Sequence, residues 1–412
     1  MFKTTAKCNV AIAAATLIVL TGCSGPGGSG GGSGENITLG ALLPQTGDLA
    51  ALGKNTAAGV KLAVKQANGN NDNFKVSLEL QDSGTQESIA QSAMQQLLAK
   101  NVSAIVGAVS SAVCLSVVDT TVQARIPMIS PACTTPQLTH YKDDGYFYRT
   151  AAPSEAQGTL LAQLAYKDGK RNVAVMAVNN SYGQSIADNF VKEFTSLGGT
   201  IAVNVKYDAA SKSFTAETQQ VAGAKPEAIV LVGYVDTAAA IVHDAAQRGL
   251  LDLQWYTGDG IRDNTFPKQA LPSEPQKIYT WKGIGVGTVD SDAAHRYEDA
   301  YQKEYSGKAP SFSAQAYDAT WVSILAAILA HQNGDTVKDE IANVTDASGT
   351  KCVAEDCIPL VAKGTKGTKV AYQGATGAVE FDQNGDPAKA VFGVWQFSDG
   401  GIKNIQNIAV GK

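Results

Sequence analysis

The sequence predicts an α/β protein built as two doubly wound parallel-sheet lobes. Three observations carry this. Short apolar strands alternate with helices from residue 36 onward. The alternation halts at Tyr146-Phe147-Tyr148-Arg149 and then restarts. The length beyond residue 35 exceeds what one compact core holds and suits two domains. Strand–helix–strand units pair in parallel through right-handed crossovers, so two such runs imply two lobes.

In the first run, strands are expected at Ile37–Leu43, Lys75–Leu80, Ser103–Val109 and Ile126–Ser130. Lys75–Leu80 shows the period-two alternation of a half-buried strand. Helices fill the intervals at Asn55–Gln66, Thr85–Lys100 and Ala112–Arg125, with Ile89, Ala93 and Leu97 on one face of the second. The second run opens at Ser154-Glu155-Ala156-Gln157, which has the form of a capping box. Strands follow at Asn172–Val178, Thr200–Tyr207, Ala228–Gly233 and Gln254–Thr257. The matching helices are Tyr182–Leu197, stopped by Gly198-Gly199, then Phe214–Ala224 and Thr237–Arg248. Two long helices come later, near Ala293–Tyr305 and Ala314–His331. The apolar run Ile324–Ala330 sits in the second of these, broken by His331 and Gln332.

Composition excludes several function classes. Hydrophobic content of 44% with 17% charged residues is that of a globular protein. The net charge is −5, with no basic stripe, so nucleic acid is not an expected partner. The four histidines, His140, His243, His295 and His331, are scattered, and no phosphate loop of the form GxxxxGK[ST] occurs. Neither an enzyme nor a cofactor is expected.

The N-terminus points to export. Lys3 and Lys7 precede an apolar run from Val10 to Leu20. That is roughly ten residues, against about 20 for a bilayer-spanning helix, so residues 1–22 read as a signal peptide. Leu20-Thr21-Gly22-Cys23 resembles a bacterial lipobox, which makes Cys23 the lipidation candidate and the cell envelope the expected location. Residues 23–35 then form a Gly/Ser tether, which behaves as flexible coil. Within it, Gly27–Gly31 matches the pattern GxSxG. That motif needs a strand before it and a helix after it, and this segment can form neither.

Six cysteines occur. Cys8 belongs to the leader and Cys23 to the lipid site. Four remain, an even number in an oxidising setting. Cys352 and Cys357 are near neighbours in a polar stretch and are expected to pair. Cys114 and Cys133 form the other candidate pair, or else serve as small buried residues. No histidine lies at ligand spacing near either pair, so no metal site is expected.

In open parallel sheets, ligands bind beyond the carboxyl ends of the strands. The loops there carry Pro44–Gly53, Ser110-Ser111 and Pro131–Pro136 in the first lobe. In the second they carry Asn179–Gly183, Gly233-Tyr234 and Gly258-Asp259-Gly260. The first lobe thus offers hydroxyls and helix N-terminal amides, which suit a carboxylate. The second offers an acid and two tyrosines. Asp259 facing an anion-binding surface suits a zwitterion whose ammonium pairs with that acid. Each residue also has a plainer role open to it: helix cap, turn residue or surface aromatic.

The segments Thr38–Asn68, Val106–Ser111, Pro127–Thr134 and Ser181–Gly183 resemble the branched-chain amino acid-binding proteins of bacterial ABC transporters, which are type I periplasmic binding proteins. The likeness covers nearly the whole chain beyond the tether and is strongest over Ile37–Pro136. It implies two lobes closing like a Venus flytrap over the ligand, joined by three crossings near Ala151, Gly287 and Phe392. Lobe 1 is then residues 36–151 plus 288–391, and lobe 2 residues 152–287 plus 392–412. It also implies that Ser111 and Thr134 bind the α-carboxylate. Ala132 offers a backbone carbonyl to the ammonium, Asp259 completes that contact, and Tyr182 and Tyr234 close over the ligand. Ser110, Leu52 and Phe312 are weaker candidates. The chain departs from the family in carrying Asp259 where glutamate is common, Leu52 where an aromatic is common, and an insertion at Lys351–Lys369. The expected partners are an amino acid and a membrane permease, with the protein a monomer. The alternative is a non-transport lipoprotein of the same fold, such as an amide sensor or a regulator of cell-wall synthesis.

Overall fold

The structure, a computed structural model, describes residues 35–69 and 74–411. The expected leader, Cys23 and the tether up to Gly34 lie outside the described residues. No helix among the described residues is long and apolar enough to cross a membrane.

The first run of elements is β1 (Glu35–Leu43), α1 (Ala50–Gly69), β2 (Phe74–Asp82), α2 (Glu87–Leu98), β3 (Ala104–Gly107), α3 (Ser111–Ala124), β4 (Met128–Ser130) and β5 (Phe147–Arg149). Its strands form one five-stranded sheet in the order β2-β1-β3-β4-β5, parallel throughout. The second run is α4 (Ser154–Lys167), β6 (Asn172–Val178), α5 (Ser181–Ser196), β7 (Thr200–Tyr207), α6 (Thr215–Ala224), β8 (Ala228–Val232), α7 (Val235–Ala246), β9 (Gln254–Thr257), α8 (Phe266–Ala270) and β10 (Lys282–Val286). The remaining elements are α9 (Asp292–Tyr305), α10 (Ser313–Asn333), α11 (Val337–Val344), β11 (Thr350–Cys352), α12 (Ile358–Ala362), β12 (Val370–Gly374), β13 (Gly377–Ala378), β14 (Lys389–Gln396) and β15 (Lys403–Gly411).

The second sheet has seven strands in the order β15-β14-β10-β9-β8-β6-β7. Strands β6 to β10 pair in parallel, while β14 and β15 add an antiparallel edge. This edge is not foreseen by the strand–helix rhythm. β15 is largely exposed and mixes polar and apolar residues without the alternation that marks a half-buried strand. The chain leaves the first sheet after Arg149, packs α9 and α10 against α1 of the first run after Val286, and enters the second sheet again with β14. Phe392 lies inside β14, three residues beyond its first residue, Lys389.

Several local expectations change. Ser154 is not a capping residue: Pro153 takes the cap position, and Ser154 turns both its N–H and its hydroxyl to the Thr134 carbonyl, at 2.8 and 3.0 Å. α1 starts at Ala50, so Leu52 lies on a helix and not in a loop. α10 runs through His331 and Gln332 to Asn333, and Gly334 ends it in the left-handed conformation that glycine adopts freely. α10 is buried on nearly every side from Ser313 to Ala330, which accounts for its apolar run without a membrane. The unplaced segment 351–369 becomes β11, a 3₁₀ turn and α12, part of a small sheet in the order β11-β12-β13. Asp318 of α10 docks that sheet, accepting bonds from the Tyr372 hydroxyl and the amides of Ala375 and Thr376.

A fully buried arginine ties the first sheet to the returning chain. Arg149 Nε donates to Asp386 Oδ1 at 2.5 Å, and the Arg149 amide donates to the Gly385 carbonyl at 3.0 Å. Its Nη1 donates to the carbonyls of Cys133 and Thr135, at 2.9 and 2.8 Å. One guanidinium therefore holds both the loop after β4 and the segment before β14. Both candidate disulfides are present, Cys114–Cys133 and Cys352–Cys357. The first fastens the opening turn of α3 to the loop that follows β4.

Replacing Arg149 by Met leaves Asp386 buried without its cation. The expected loss is about 3–5 kcal/mol in urea unfolding, with the Arg149→Met/Asp386→Leu pair recovering part of it. Sequence separations of 19 and 5 residues predict that removing Cys114–Cys133 costs about 3 kcal/mol and Cys352–Cys357 about 2. Paired alanine variants under the same denaturant check this order.

Candidate functional site

The loops at the carboxyl ends of the strands in both lobes converge on one small cavity. From the first lobe come Leu49, Leu52, Val109, Ser111, Ala132 and Thr134, with Phe312 from the turn before α10. From the second come Tyr182, Tyr234, Asp259 and Gly260. Ser111, Ala132, Thr134, Tyr182, Tyr234, Asp259, Leu52 and Phe312 were all expected from sequence. Ser110 does not line the cavity. It is buried next to Ser111, close to the Tyr234 hydroxyl.

The first-lobe wall is set by short local bonds. Ser130 Oγ accepts from the amides of Ala132 and Cys133 and donates to the Ala108 carbonyl at 2.7 Å, which curls the loop tightly. Ser111, in the first turn of α3, accepts from the Thr135 amide at 3.2 Å. A hydroxyl that accepts one bond keeps its proton to donate. Thr134 is 3% exposed, and its hydroxyl has no partner within the protein. A buried hydroxyl left unpaired costs about 1–3 kcal/mol, so it marks a place where something else must bond. The N-terminus of α3, whose first amides lack intrahelical partners, adds a further preference for an anion.

The second-lobe wall is an acid held by aromatics. Asp259 opens a 3₁₀ turn after β9 and is 4% exposed. The Tyr182 hydroxyl donates to its Oδ1 at 3.1 Å and accepts from the Gly260 amide at 3.1 Å. Tyr182 stacks on Tyr234, with ring centroids 5.6 Å apart, and Asn180 Nδ2 donates to the Tyr234 hydroxyl at 2.9 Å. The glycines flanking Asp259 serve close packing. A Cβ on Gly258 would lie 2.8 Å from the Tyr182 hydroxyl, and one on Gly260 would lie 2.3 Å from the Gly233 carbonyl. Burial raises the Asp259 pKa above the usual carboxylate value, opposed by hydrogen bonds from Gln157 and Tyr182 and by the charge of Arg262. Burial likewise pushes Tyr234 up to about 12, so both tyrosines stay protonated donors at neutral pH.

Between the polar walls the lining is apolar: Leu49, Leu52, Val109 and Phe312. Phe312 takes a left-handed conformation, φ 64°, that bulky residues seldom adopt. The cavity can therefore hold a small molecule with a carboxylate at one end, a cation beside it and an apolar body. Wider hollows exist elsewhere, one of about 560 Å³ beside the crossings. None of the buried side-chain atoms left without a partner belongs to that hollow's lining. Sequence reasoning missed Leu49, Val109, Gly260, Gln157 and Arg262. Leu49 and Gly260 had a signal, each lying in a strand-end loop named from sequence.

Comparison with known proteins agrees with this geometry. The family model described as periplasmic binding protein matches residues 36–393. A Leu/Ile/Val-binding protein of Rhizobium johnstonii is 27% identical over 265 residues, covering 63% of this chain and 71% of the relative. Among solved structures, the branched-chain amino acid transporter substrate-binding protein of Streptococcus pneumoniae, in complex with isoleucine, aligns with a TM-score of 0.75. It is 25% identical, with 92% of this chain and 100% of that one covered. A solute-binding protein of an ABC transporter from Rhodopseudomonas palustris, in complex with benzoate, aligns with a TM-score of 0.73 at 18% identity, covering 92% and 98%. With the family model spanning both lobes and the cavity between them, the chain belongs to the periplasmic binding protein family.

Proposed function

We propose that this protein captures a free amino acid with a small apolar side chain and delivers it to an ABC transporter permease, from the outer side of a membrane to which a lipid on Cys23 tethers it. The observation that carries the reading is the pairing of unlike walls. The unpartnered Thr134 hydroxyl and the spare proton of Ser111 face the buried carboxylate of Asp259 across one small cavity. Two donors suit a carboxylate, the acid suits the neighbouring ammonium, and the leucines and Phe312 suit the side chain. The ligand docks on the first lobe, and Asp259, Tyr182 and Tyr234 arrive with the second. Contacts from both lobes favour the closed form. The bound molecule leaves unchanged, since no nucleophile–base pair adjoins it.

Titration calorimetry with leucine, isoleucine, valine and benzoate tests this. At least one of the amino acids binds, and Thr134→Val weakens it about 10- to 100-fold, the worth of a hydrogen bond to a charged group. Asp259→Asn weakens it at least as much. Binding of benzoate alone, indifferent to Asp259→Asn, would overturn the amino acid reading and point to a simple carboxylate.

The pH dependence has a definite sign. Asp259 must be ionised to hold an ammonium, and burial raises its pKa. Affinity is therefore full above that pKa and is lost as pH falls through it. Calorimetry from pH 8 down to about 4.5 should show weakening at a higher pH than an ordinary aspartate would cause.

A further inference from the structure

We propose that Arg262 is a positioning residue of the ligand site: its guanidinium, fixed behind Asp259, holds that buried carboxylate charged and turned toward the ligand. The proposal rests on the amino acid reading above and names a group that reading does not use.

Geometry carries it. The 3₁₀ turn Asp259–Ile261 closes with the Arg262 amide on the Asp259 carbonyl at 3.0 Å. Arg262 caps this turn and does not itself line the cavity, so it stands behind Asp259 as seen from the ligand. The guanidinium is then fixed at two further points. Nη1 donates to the Val286 carbonyl, where the chain leaves the second sheet, and Cζ lies 5.9 Å from the Trp395 ring centroid. Arg262 forms no direct ion pair with Asp259 among the described residues, which leaves the carboxylate oxygens to Tyr182, Gln157 and the ligand.

The other groups around Asp259 cannot do this work. Gln157 from α4 is uncharged and spends one bond on the Ile284 carbonyl. Tyr182 from α5 and Tyr234 before α7 are neutral donors whose own ionisation is pushed up. From β10, Gly285 brings backbone only, close against Asp259. Arg262 is the cation of the set. Its field lowers the Asp259 pKa against burial, and Asp259 in turn favours its charge. A cation directly on the carboxylate would compete with the ligand ammonium. A cation behind it keeps the acid ionised and leaves its front open.

The test reads Asp259 itself, in full-length protein without ligand. Carbon-13 NMR of aspartate-labelled protein follows its carboxyl titration, assigned by the signal lost in Asp259→Asn. Arg262→Gln should move the midpoint up by about one pH unit or more, the effect of losing a nearby opposite charge. Arg262→Lys should restore it. The acid limb of isoleucine binding should move with it. An unmoved midpoint in Arg262→Gln would overturn the proposal, even if isoleucine binds well. Failure of every amino acid to bind would instead overturn the functional reading, while the titration still decides Arg262's effect on Asp259. Should Arg262→Gln fold too weakly to titrate, the Arg262→Gln/Asp259→Asn variant decides. Rescue of folding supports action through the carboxylate, and equal instability shows that Arg262 only ties Val286 and Trp395.

Discussion

The Arg149 guanidinium is the constraint on which the first lobe's recognition surface depends. It is fully buried, and it donates to the carbonyls of Cys133 and Thr135, to the Thr139 hydroxyl and to the Asp386 carboxylate. Two of its bonds reach the carbonyls on either side of Thr134, so the threonine hydroxyl is placed by an arginine that never lines the cavity. The Ser130 bonds and the Cys114–Cys133 link act on the same few residues from the opposite side. The loop, itself buried from Ala132 to Thr135, is thereby pinned at several points. Such rigidity lets a single hydroxyl be left unpaired in a defined direction, whereas a loose loop would turn it to the nearest carbonyl.

The second lobe solves a different problem. It must present a negative charge in a nearly dry space, which burial alone would neutralise. The solution is layered. Tyr182 bonds the carboxylate, Gln157 helps hold its pKa down, Gly258 and Gly260 let the backbone fit beneath the tyrosine, and Arg262 supplies charge from behind. The stacked tyrosines are part of this layer: Tyr234, whose hydroxyl accepts from Asn180, lies against the ring of Tyr182.

Much of this was legible in the sequence, for identifiable reasons. Buried parallel strands such as Ala228–Val232 are short apolar runs, and their carboxyl ends pick out the binding loops whatever those loops contain. Ser111, Thr134, Tyr182, Tyr234 and Asp259 were visible because a hydroxyl, an acid and two tyrosines stand out there. Val109 was invisible because an apolar residue beside a cavity looks like any core residue. Arg149 looked like a junction, since only the folded chain brings residues 133–135 and 386 around it. Arg262 and Gln157 act on Asp259 from behind, and no spacing rule announces that. The Ser154 capping pattern misled because a tertiary carbonyl, that of Thr134, outcompeted the local helix end.

The unpaired Thr134 hydroxyl also sets an error rate. A buried hydroxyl that finds no bond costs about 1–3 kcal/mol, and that of Thr134 has no partner within the protein. By that cost alone, an empty shut molecule is disfavoured roughly five- to 150-fold against one whose guest bonds the hydroxyl. A receiver that responds only to the shut shape would then seldom be deceived by a carrier with no cargo.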